Sequence, residues 1–290
     1  FRTMKESLNI LTIGNSFADS AVRAIVPLVN AVGKKLHISK ANFGGCELRR
    51  HWGYISAEIN DPVNCRIYPG TQLSNILSGT PWDIVTIQQA SHESWRRETF
   101  QPYAQNIIDF IKKHAPQAEV VIQQTWAYRA DHPKFQKDSE WGISQEEMYK
   151  LLTGNYKNLS SELGNLRILP TGYAVQLARK EQSVKFKPMT PEDTANLSYP
   201  DIPPQSGALV GRDYYEKDLD SGEFVLKTDR IHLNGRGEYL QAMVWFGMLY
   251  ECDVRNINYV PENIGKADAA FLRDIAARAI EKAQNIPDFC

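Results

Sequence analysis

The chain has 290 residues, which is long enough for one large α/β domain or for two small domains. Hydrophobic residues make up 42% and charged residues 23%, as is typical of a globular protein. The net charge of −1 argues against a nucleic-acid-binding protein or a binder of anionic membranes, because those need a concentrated basic surface. No apolar run reaches the roughly 18–20 residues that span a bilayer, so we expect no membrane span.

Apolar runs without polar alternation recur along the first half of the chain and are typical of strands that helices cover on both faces. We predict such strands at residues 8–13, 36–43, 83–87, 119–123 and 167–170. Segments with helical periodicity predict helices at residues 20–32, 101–114, 145–163, 235–250 and 266–284. Strands that alternate with helices indicate βαβ units and a parallel sheet, and therefore an α/β fold.

Residues 181–227 differ from the rest because they are rich in proline and turn-forming residues and lack a helical period. We interpret this segment as an irregular insertion or ordered loop, with a hairpin around Ser221-Gly222. No repeat, low-complexity tract or linker divides the sequence. We therefore predict a single domain over residues 1–290.

The first candidate functional segment is Gly14-Asn15-Ser16, where the first predicted strand runs into a turn. This order places Ser16 at the carboxyl end of a parallel strand, where open α/β sheets bind their ligands. The following helix would direct its free N–H groups toward developing negative charge. A nucleophilic serine needs such a position, together with a base. Taken alone, the three residues fit a simple turn with a helix N-cap better.

The second candidate segment is Asp229-Arg230-Ile231-His232, in a turn-like stretch before a late helix. Residues three apart in such a stretch can project to the same side. Asp229 can then hold the His232 ring in one orientation and leave its other nitrogen for a serine. An ion pair at a helix N-terminus, with Asp229 or Asn234 as the cap, is the alternative.

Taken together, the Gly-Asn-Ser turn after the first strand, a glycine turn after the second and the late Asp-x-x-His pair resemble the SGNH (GDSL-like) hydrolases. The resemblance covers about residues 8–250, and its motifs are short. It implies a three-layer α/β/α sandwich around a flavodoxin-like five-stranded parallel sheet. It also implies a catalytic triad, with Ser16 as the nucleophile, His232 as the general base and Asp229 as its orienting acid. The pattern is most similar to an uncharacterised SGNH subgroup of gut Bacteroides-type bacteria.

The resemblance also implies the donors of an oxyanion hole. These include the backbone N–H groups of Ser16 and Gly45, and a glycine suits this role because its backbone can approach a ligand closely. Gly44 is an alternative donor, and a plain turn is the alternative for both glycines. The family's third motif, Gly-x-Asn, is absent. The strand ends instead in Gln88-Gln89, whose amides can donate similar hydrogen bonds, with His92 as a third choice and a solvent-facing polar strand end as the alternative.

Polar and aromatic residues near other strand ends are candidates for substrate binding. Exposed aromatic rings at such positions would stack on a sugar ring, although packing in the core is the more common role for at least half of them. The candidates for substrate contact are His51, His92, Trp126 and Tyr128.

From the resemblance we expect a serine esterase, a hydrolase acting on ester bonds, that cleaves small acyl esters through an acyl-enzyme. Acetyl esters on carbohydrates are the expected substrates, so the partner would be a small-molecule or glycan ester. The alternative is a non-catalytic glycan-binding module on the same fold. Acyl or phosphate transfer in the same pocket also stays open, because a fold does not determine its reaction.

No nucleotide-binding or zinc-protease motif occurs, and we expect neither a metal nor another cofactor. The four cysteines, Cys46, Cys65, Cys252 and Cys290, are irregularly spaced, so one or two disulfides and buried free thiols are equally compatible with the sequence. The chain begins at Phe1 without a visible leader. We expect a periplasmic or secreted protein whose leader has been removed, with a cytoplasmic location left open. The oligomeric state does not follow from the sequence.

Overall fold

A central parallel sheet organises the protein, and a computed structural model describes residues 3–284 of the chain. The strands of this sheet are β1 (Ser7–Gly14), β2 (Lys35–Asn42), β3 (Ile84–Ile87), β4 (Glu119–Gln123) and β5 (Ile168–Leu169). They run parallel in the spatial order β2-β1-β3-β4-β5. This is the flavodoxin-like order, and it confirms the predicted α/β fold with five parallel strands.

Most of the helices described within residues 3–284 form two groups around the sheet. They are α1 (Ser16–Ala31), α2 (Leu48–Asn60), α3 (Leu73–Gly79), α4 (Tyr103–His114), α5 (Gln145–Glu162), α6 (Thr171–Glu181), α7 (Pro191–Ala195), α8 (Gly235–Leu249) and α9 (Lys266–Gln284). Helices α1, α6, α8 and α9 pack in contact with one another, and α2, α3 and α4 form the second group. Both faces of the sheet are covered, because β3 is buried along its whole length and β4 after its first residue. This is the predicted three-layer α/β/α arrangement. None of the described helices has the length and apolar character that crossing a membrane requires.

Helix α1 begins at Ser16 rather than at residue 20, where the sequence pattern predicted its start. Asn15 has an extended backbone, and its side-chain oxygen accepts a hydrogen bond from the N–H of Phe17 at 3.0 Å. Asn15 is therefore the N-cap of the helix. The cap extends the helix back to the end of β1 and places Ser16 in its first turn.

The segment predicted as an irregular insertion contains a β-hairpin. Strands β6 (Val210–Lys217) and β7 (Phe224–Leu233) pair antiparallel around a turn that includes Ser221 and Gly222, as predicted. Gly222 has a φ of +73°, a conformation that glycine adopts without strain. Apart from the short helix α7, the part of the segment before β6 is irregular.

The turn-like conformation predicted for the Asp-x-x-His pair is wrong. Asp229 and His232 both lie in β7, where Asp229 pairs with Arg212 of β6. The pairing with β6 keeps this stretch extended almost to the start of α8. The pair therefore sits on a strand that a hairpin supports, and not on a free turn.

The described cysteines are free thiols. Cys46 is buried, Cys65 and Cys252 are partly buried, and Cys290 lies outside the described residues. Burial raises the pKa of the Cys46 thiol to about 12 and that of Cys252 to about 11. Both thiols are therefore protonated at neutral pH and are poor nucleophiles.

Candidate active site

The turn that joins β1 to α1 carries Ser16. Gly14 is the last residue of β1, Asn15 caps α1, and Ser16 is the first helical residue. Ser16 therefore lies at the carboxyl edge of the central sheet and at the N-terminus of α1, where the helix dipole favours negative charge. Ser16 is partly exposed, so a ligand can reach it.

The Ser16 hydroxyl contacts His232 near the end of β7. The distance from Ser16 Oγ to His232 Nε2 is 2.9 Å, and His232 Nδ1 lies 2.8 Å from Asp229 Oδ2. Because a carboxylate only accepts hydrogen bonds, Nδ1 carries the ring proton, and Nε2 is left to accept from the serine hydroxyl. The three side chains predicted for a triad thus form one hydrogen-bonded chain.

The Asp229 carboxylate is held by its own strand as well as by the histidine. Its Oδ1 accepts hydrogen bonds from the backbone N–H groups of Ile231 at 2.8 Å and His232 at 3.0 Å. Partial burial opposes ionisation, but these bonds and the one from the His232 ring outweigh it. They hold the pKa of Asp229 well below its ordinary value. Asp229 is therefore ionised and fixed in place at neutral pH.

Trp126 joins the helix of Ser16 to the strand of His232. Its ring stacks on Phe17 with 3.9 Å between the ring centres, and its Nε1 donates to the carbonyl of Ile231 at 2.9 Å. Trp126 has no exposed surface, so the predicted contact with substrate is corrected to a packing role. By touching both elements, the ring helps to fix the separation of the serine and the histidine.

The loop after β2 contains Gly44 and Gly45. Both glycines are exposed, and no other residue approaches the side on which a Cβ would lie. Gly45 has a φ of +60°, which other residues adopt only with strain. The Asn15 side chain ties the loop to the nucleophile turn, because its Nδ2 donates to the carbonyl of Cys46 at 3.2 Å. The loop backbone is therefore accessible to a ligand and is fastened to the residue before Ser16.

The two glutamines after β3 have different partners. Gln88 is buried, and its Nε2 donates to Asn15 Oδ1 at 2.7 Å. Gln89 directs its Nε2 to both the carbonyl and the hydroxyl of Thr99, at 2.9 and 3.1 Å. Both hydrogens of the Gln89 amide are engaged, so it has none left for an oxyanion, and the prediction for Gln89 is corrected. Gln88 lies against the nucleophile turn.

His51 packs against the end of β1 and is fully buried. Its Nε2 lies 2.8 Å from the carbonyl of Gly14, and its Nδ1 lies 2.9 Å from the hydroxyl of Tyr68. A carbonyl only accepts, so Nε2 carries the proton and Nδ1 accepts from the tyrosine. Burial lowers the pKa of His51 to about 4, which keeps the ring neutral at pH 7. His51 therefore supports the nucleophile turn and does not contact substrate as predicted.

The other two substrate-contact candidates differ in exposure. Tyr128 is buried, its hydroxyl lies 2.8 Å from Ser91 Oγ, and burial raises its pKa to about 12, so the substrate contact predicted for it is corrected to a structural role. His92 is partly exposed, with its Nε2 3.0 Å from Glu47 Oε1. Among the described residues no group of three His, Cys, Asp or Glu side chains is arranged to hold a metal, so the His92–Glu47 pair is not part of such a group. A substrate contact by His92 stays a prediction.

With this geometry in view, comparison with known proteins decides the family. The model of a family described as a domain of unknown function, DUF4886, matches residues 9–192. The chain belongs to the DUF4886 family. The matched range includes Ser16, Gly45 and Gln88 and ends before Asp229. A comparison with curated protein sequences finds no match for this DUF4886 chain.

Solved structures resemble the DUF4886 chain over most of its length. A DUF4886 family protein from Bacteroides uniformis is 23% identical, with a TM-score of 0.73 and 97% of each chain covered. A candidate SGNH hydrolase from Slackia heliotrinireducens is 18% identical, with a TM-score of 0.50, and the match covers 84% of this chain and 99% of that one. At these identities the likeness establishes the fold, which is the SGNH hydrolase fold expected from the sequence motifs.

A buried polar network behind α1 was not predicted from the sequence. Gln123 donates its Nε2 to Gln88 Oε1 at 2.6 Å, and its Oε1 accepts from Trp245 Nε1 at 2.6 Å and Gln241 Nε2 at 2.9 Å. Gln241 also donates to the carbonyl of Phe17 at 2.9 Å. In this DUF4886 protein the network connects β3, β4 and α8 to the helix of the nucleophile. The sequence signal for this network was a pair of glutamines in otherwise apolar segments, Gln123 at the end of β4 and Gln241 within α8.

Replacing His51 with alanine should lower the free energy of unfolding by about 3 kcal/mol, because it opens a cavity and leaves Gly14 O and the Tyr68 hydroxyl without partners. Urea denaturation at pH 7 measures the change. His37 is exposed, and His37→Ala should change stability by less than about 1 kcal/mol. Equal stability of the two variants would contradict the supporting role of His51.

Proposed function

We propose that this protein is a serine esterase that hydrolyses small acyl esters, acetyl esters in particular. The observation that carries the proposal is the hydrogen-bonded chain from Ser16 through His232 to Asp229, with distances of 2.9 and 2.8 Å. A serine hydroxyl is a weak nucleophile by itself. A neutral histidine at this distance activates it as a general base, and the ionised aspartate orients that base.

In the proposed mechanism, Ser16 Oγ attacks the ester carbonyl carbon while its proton moves to His232 Nε2. The Asp229 carboxylate stabilises the imidazolium, and the backbone N–H groups of Ser16 and Gly45 bind the oxyanion. His232 then gives the proton to the leaving alcohol oxygen, and the carbonyl re-forms as an acyl ester on Ser16. A water molecule that His232 deprotonates attacks this ester, releases the acid and restores the serine.

Of the two glutamines after β3, Gln88 is the one that remains as a third oxyanion donor. Its amide carries two hydrogens, and one of them is donated to Asn15. The second hydrogen has no partner among residues 3–284. The Gln88 amide also lies against Gly14, since a Cβ on that glycine would be 3.3 Å from Gln88 Cδ. These contacts support the proposal that Gln88 takes the oxyanion-donor role that an asparagine has in the SGNH hydrolases.

The openness of the site supports an ester with a large alcohol part. The His232 side chain is 46% exposed, and the Gly44–Gly45 loop is open to solvent. A bulky alcohol such as a carbohydrate can therefore reach the serine from outside. The carbohydrate itself is proposed from the resemblance to the hydrolase family, since the aromatic rings of Trp126 and Tyr128 are buried and do not form a stacking surface.

Hydrolysis of chromogenic acetate, butyrate and octanoate esters tests the proposal. We expect turnover, with kcat/KM highest for the acetate, and release of acetate from an acetylated oligosaccharide. No turnover of any of these esters would overturn the esterase proposal. If the protein then bound glycans without cleaving them, the non-catalytic glycan-binding alternative would replace it.

Asn15 has a positioning role that the Asn15→Asp variant can isolate. Aspartate keeps the oxygen that caps α1 but loses the amide hydrogen that Asn15 donates to Cys46 O. The loop with Gly45 loosens, so we expect kcat for the chromogenic acetate to fall about tenfold with little change in KM. Asn30 is exposed near the other end of the same helix, and Asn30→Asp should leave both constants unchanged. An unchanged kcat in Asn15→Asp would contradict the role.

A further inference from the structure

A small cavity lies between α6 and the first residues of β6, and no triad residue lines it. Its volume is about 140 Å³. At roughly 30 Å³ for each water molecule in the liquid, it has room for about the number of heavy atoms in a phosphate or sulfate ion. Its charged lining consists of Arg129, Arg179 and Lys185, with no aspartate or glutamate. The lining is therefore cationic.

Arg129 is the most deeply buried cation of this lining. The residue is only 4% exposed, and its Nε and Nη2 atoms bind Asp131 at 2.6 and 3.0 Å. Its Nη1 is buried without a hydrogen-bond partner in the described part of the chain. The Asp213 Oδ2 atom is 3.8 Å away, too far for a hydrogen bond, and that carboxylate already accepts from Gln205 and Thr228 at 2.6 Å each. Because Nη1 has almost no accessible surface, it does not face the cavity and instead points toward Asp213, which lies outside the lining. Asp131 balances the Arg129 charge, so the uncompensated charge of the lining comes from Arg179 and Lys185.

Arg179 and Lys185 contribute two further cations without counter-ions. The Arg179 guanidinium donates to the carbonyl groups of Ala127 and Tyr128, and the Lys185 ammonium donates to the carbonyl of Arg179 at 3.0 Å. No carboxylate among the described residues lies within ion-pairing distance of either group. Burial lowers the pKa of Arg179, because no carboxylate offsets the loss of water, but a guanidinium keeps its charge at pH 7.

We propose that this cavity binds a small tetrahedral oxyanion, such as inorganic phosphate or sulfate. An oxyanion in the cavity would supply the negative charge that is missing beside Arg179 and Lys185. Lys185 is exposed, so the ion can enter from solvent past its ammonium group. The site is separate from the proposed active site, so this proposal does not depend on the esterase function.

Two residues of the cavity wall form backbone hydrogen bonds with the segment that carries His232. Leu209 lines the cavity, and its carbonyl accepts the N–H of Asn234 at 3.0 Å. Arg129 also lines it, and its backbone N–H donates to the carbonyl of Arg230 at 2.9 Å. These bonds join the cavity to both sides of His232. A bound oxyanion should therefore slow amide hydrogen exchange in the peptides that contain residues 207–213.

Isothermal titration with inorganic phosphate at pH 7 tests the site. The wild-type protein should bind one phosphate saturably, and Arg179→Gln should weaken the affinity about tenfold to a hundredfold. Lys185→Gln removes an exposed cation that does not endanger folding, and it should weaken binding as well. Lys180 is exposed on the same helix but does not line the cavity, so Lys180→Gln should bind like the wild type.

Three binding results would overturn the proposal. They are the absence of saturable phosphate binding to the wild type, equal binding by the wild type and the two cavity variants, and binding of acetate as tight as that of phosphate. Sulfate should compete with phosphate, and the protection from hydrogen exchange should be lost in the Lys185→Gln variant. Protection that appears only outside residues 207–213 would place the ion elsewhere and would also contradict the proposal.

Discussion

Replacing Ser16 with alanine should lower kcat/KM for a chromogenic acetate ester by at least about a thousandfold. The variant removes the only atom that forms the acyl-enzyme in the proposed mechanism, so what remains is the weak effect of the oxyanion donors on attack by water. Within residues 3–284, the hydroxyl makes no hydrogen bond apart from its contact with His232. The variant should therefore fold normally, which circular dichroism and thermal unfolding can verify.

Ser161 offers a matched control for this substitution. It is an exposed serine on α5, and Ser161→Ala should keep the wild-type kcat/KM. Hydrolysis at the wild-type rate by purified Ser16→Ala protein would show that another group performs the reaction. The nucleophile assignment would then fall even if the protein is an esterase.

Replacing Asp229 with asparagine should lower kcat about ten-thousandfold. An asparagine amide can donate to His232 Nδ1, and this favours the tautomer with its hydrogen on Nε2, which can no longer accept the proton of Ser16. The asparagine oxygen can still accept the two backbone N–H groups that Asp229 Oδ1 holds. The geometry should therefore survive while the chemistry is lost, and KM should change much less than kcat.

The stability of the same variant has a pH signature. The native pKa of Asp229 lies below its ordinary value, so its ionised form stabilises the fold above roughly pH 4, and this contribution disappears as the pH falls toward the native pKa. The difference in unfolding free energy between the wild type and Asp229→Asn should thus shrink between pH 7 and about pH 3. A difference that stays constant with pH would show that the carboxylate charge does not matter to the fold.

The sequence pattern was sufficient for the sheet because the strands are short apolar runs that helices cover on both faces. All five predicted strands are present, and the helices at the end of the chain begin where predicted, at Gly235 and Lys266. Helices α2, α3, α6 and α7 were missed. The first of these, Leu48–Asn60, is rich in polar and charged residues, and its few buried side chains become evident only from the way the helix packs on the rest of the fold.

Residue types were a weaker guide to the individual roles around Ser16. Exposure depends on which elements pack over a side chain, so Trp126, Tyr128 and His51 could not be recognised as buried from their positions at strand ends. The two glutamines after β3 differ only in direction. Because successive side chains of extended backbone point to opposite sides, Gln88 contacts Asn15 while Gln89 contacts Thr99. That direction is set by strand register, which the sequence motif alone does not contain.

The strand carrying Asp229 and His232 shows why long-range pairing escapes local patterns. Its residues alternate poorly between apolar and polar types, and its extended form depends on β6. The order of the motifs along the sequence nevertheless indicated that His232 lies near Ser16. A motif match depends on residue types and not on backbone conformation, so the wrong conformation did not affect it. The catalytic roles of both residues stay predictions that kinetics must test.

Covalent labelling with a fluorophosphonate probe, followed by mass spectrometry of the proteolysed protein, tests the central claim most directly. Such probes react with serines that a neighbouring base activates, and Ser16 should carry the adduct in the wild type. Labelling should be lost in Ser16→Ala and strongly slowed in Asp229→Asn. An unlabelled wild-type protein, or an adduct on a residue other than Ser16, would contradict the account of Ser16 as an activated nucleophile.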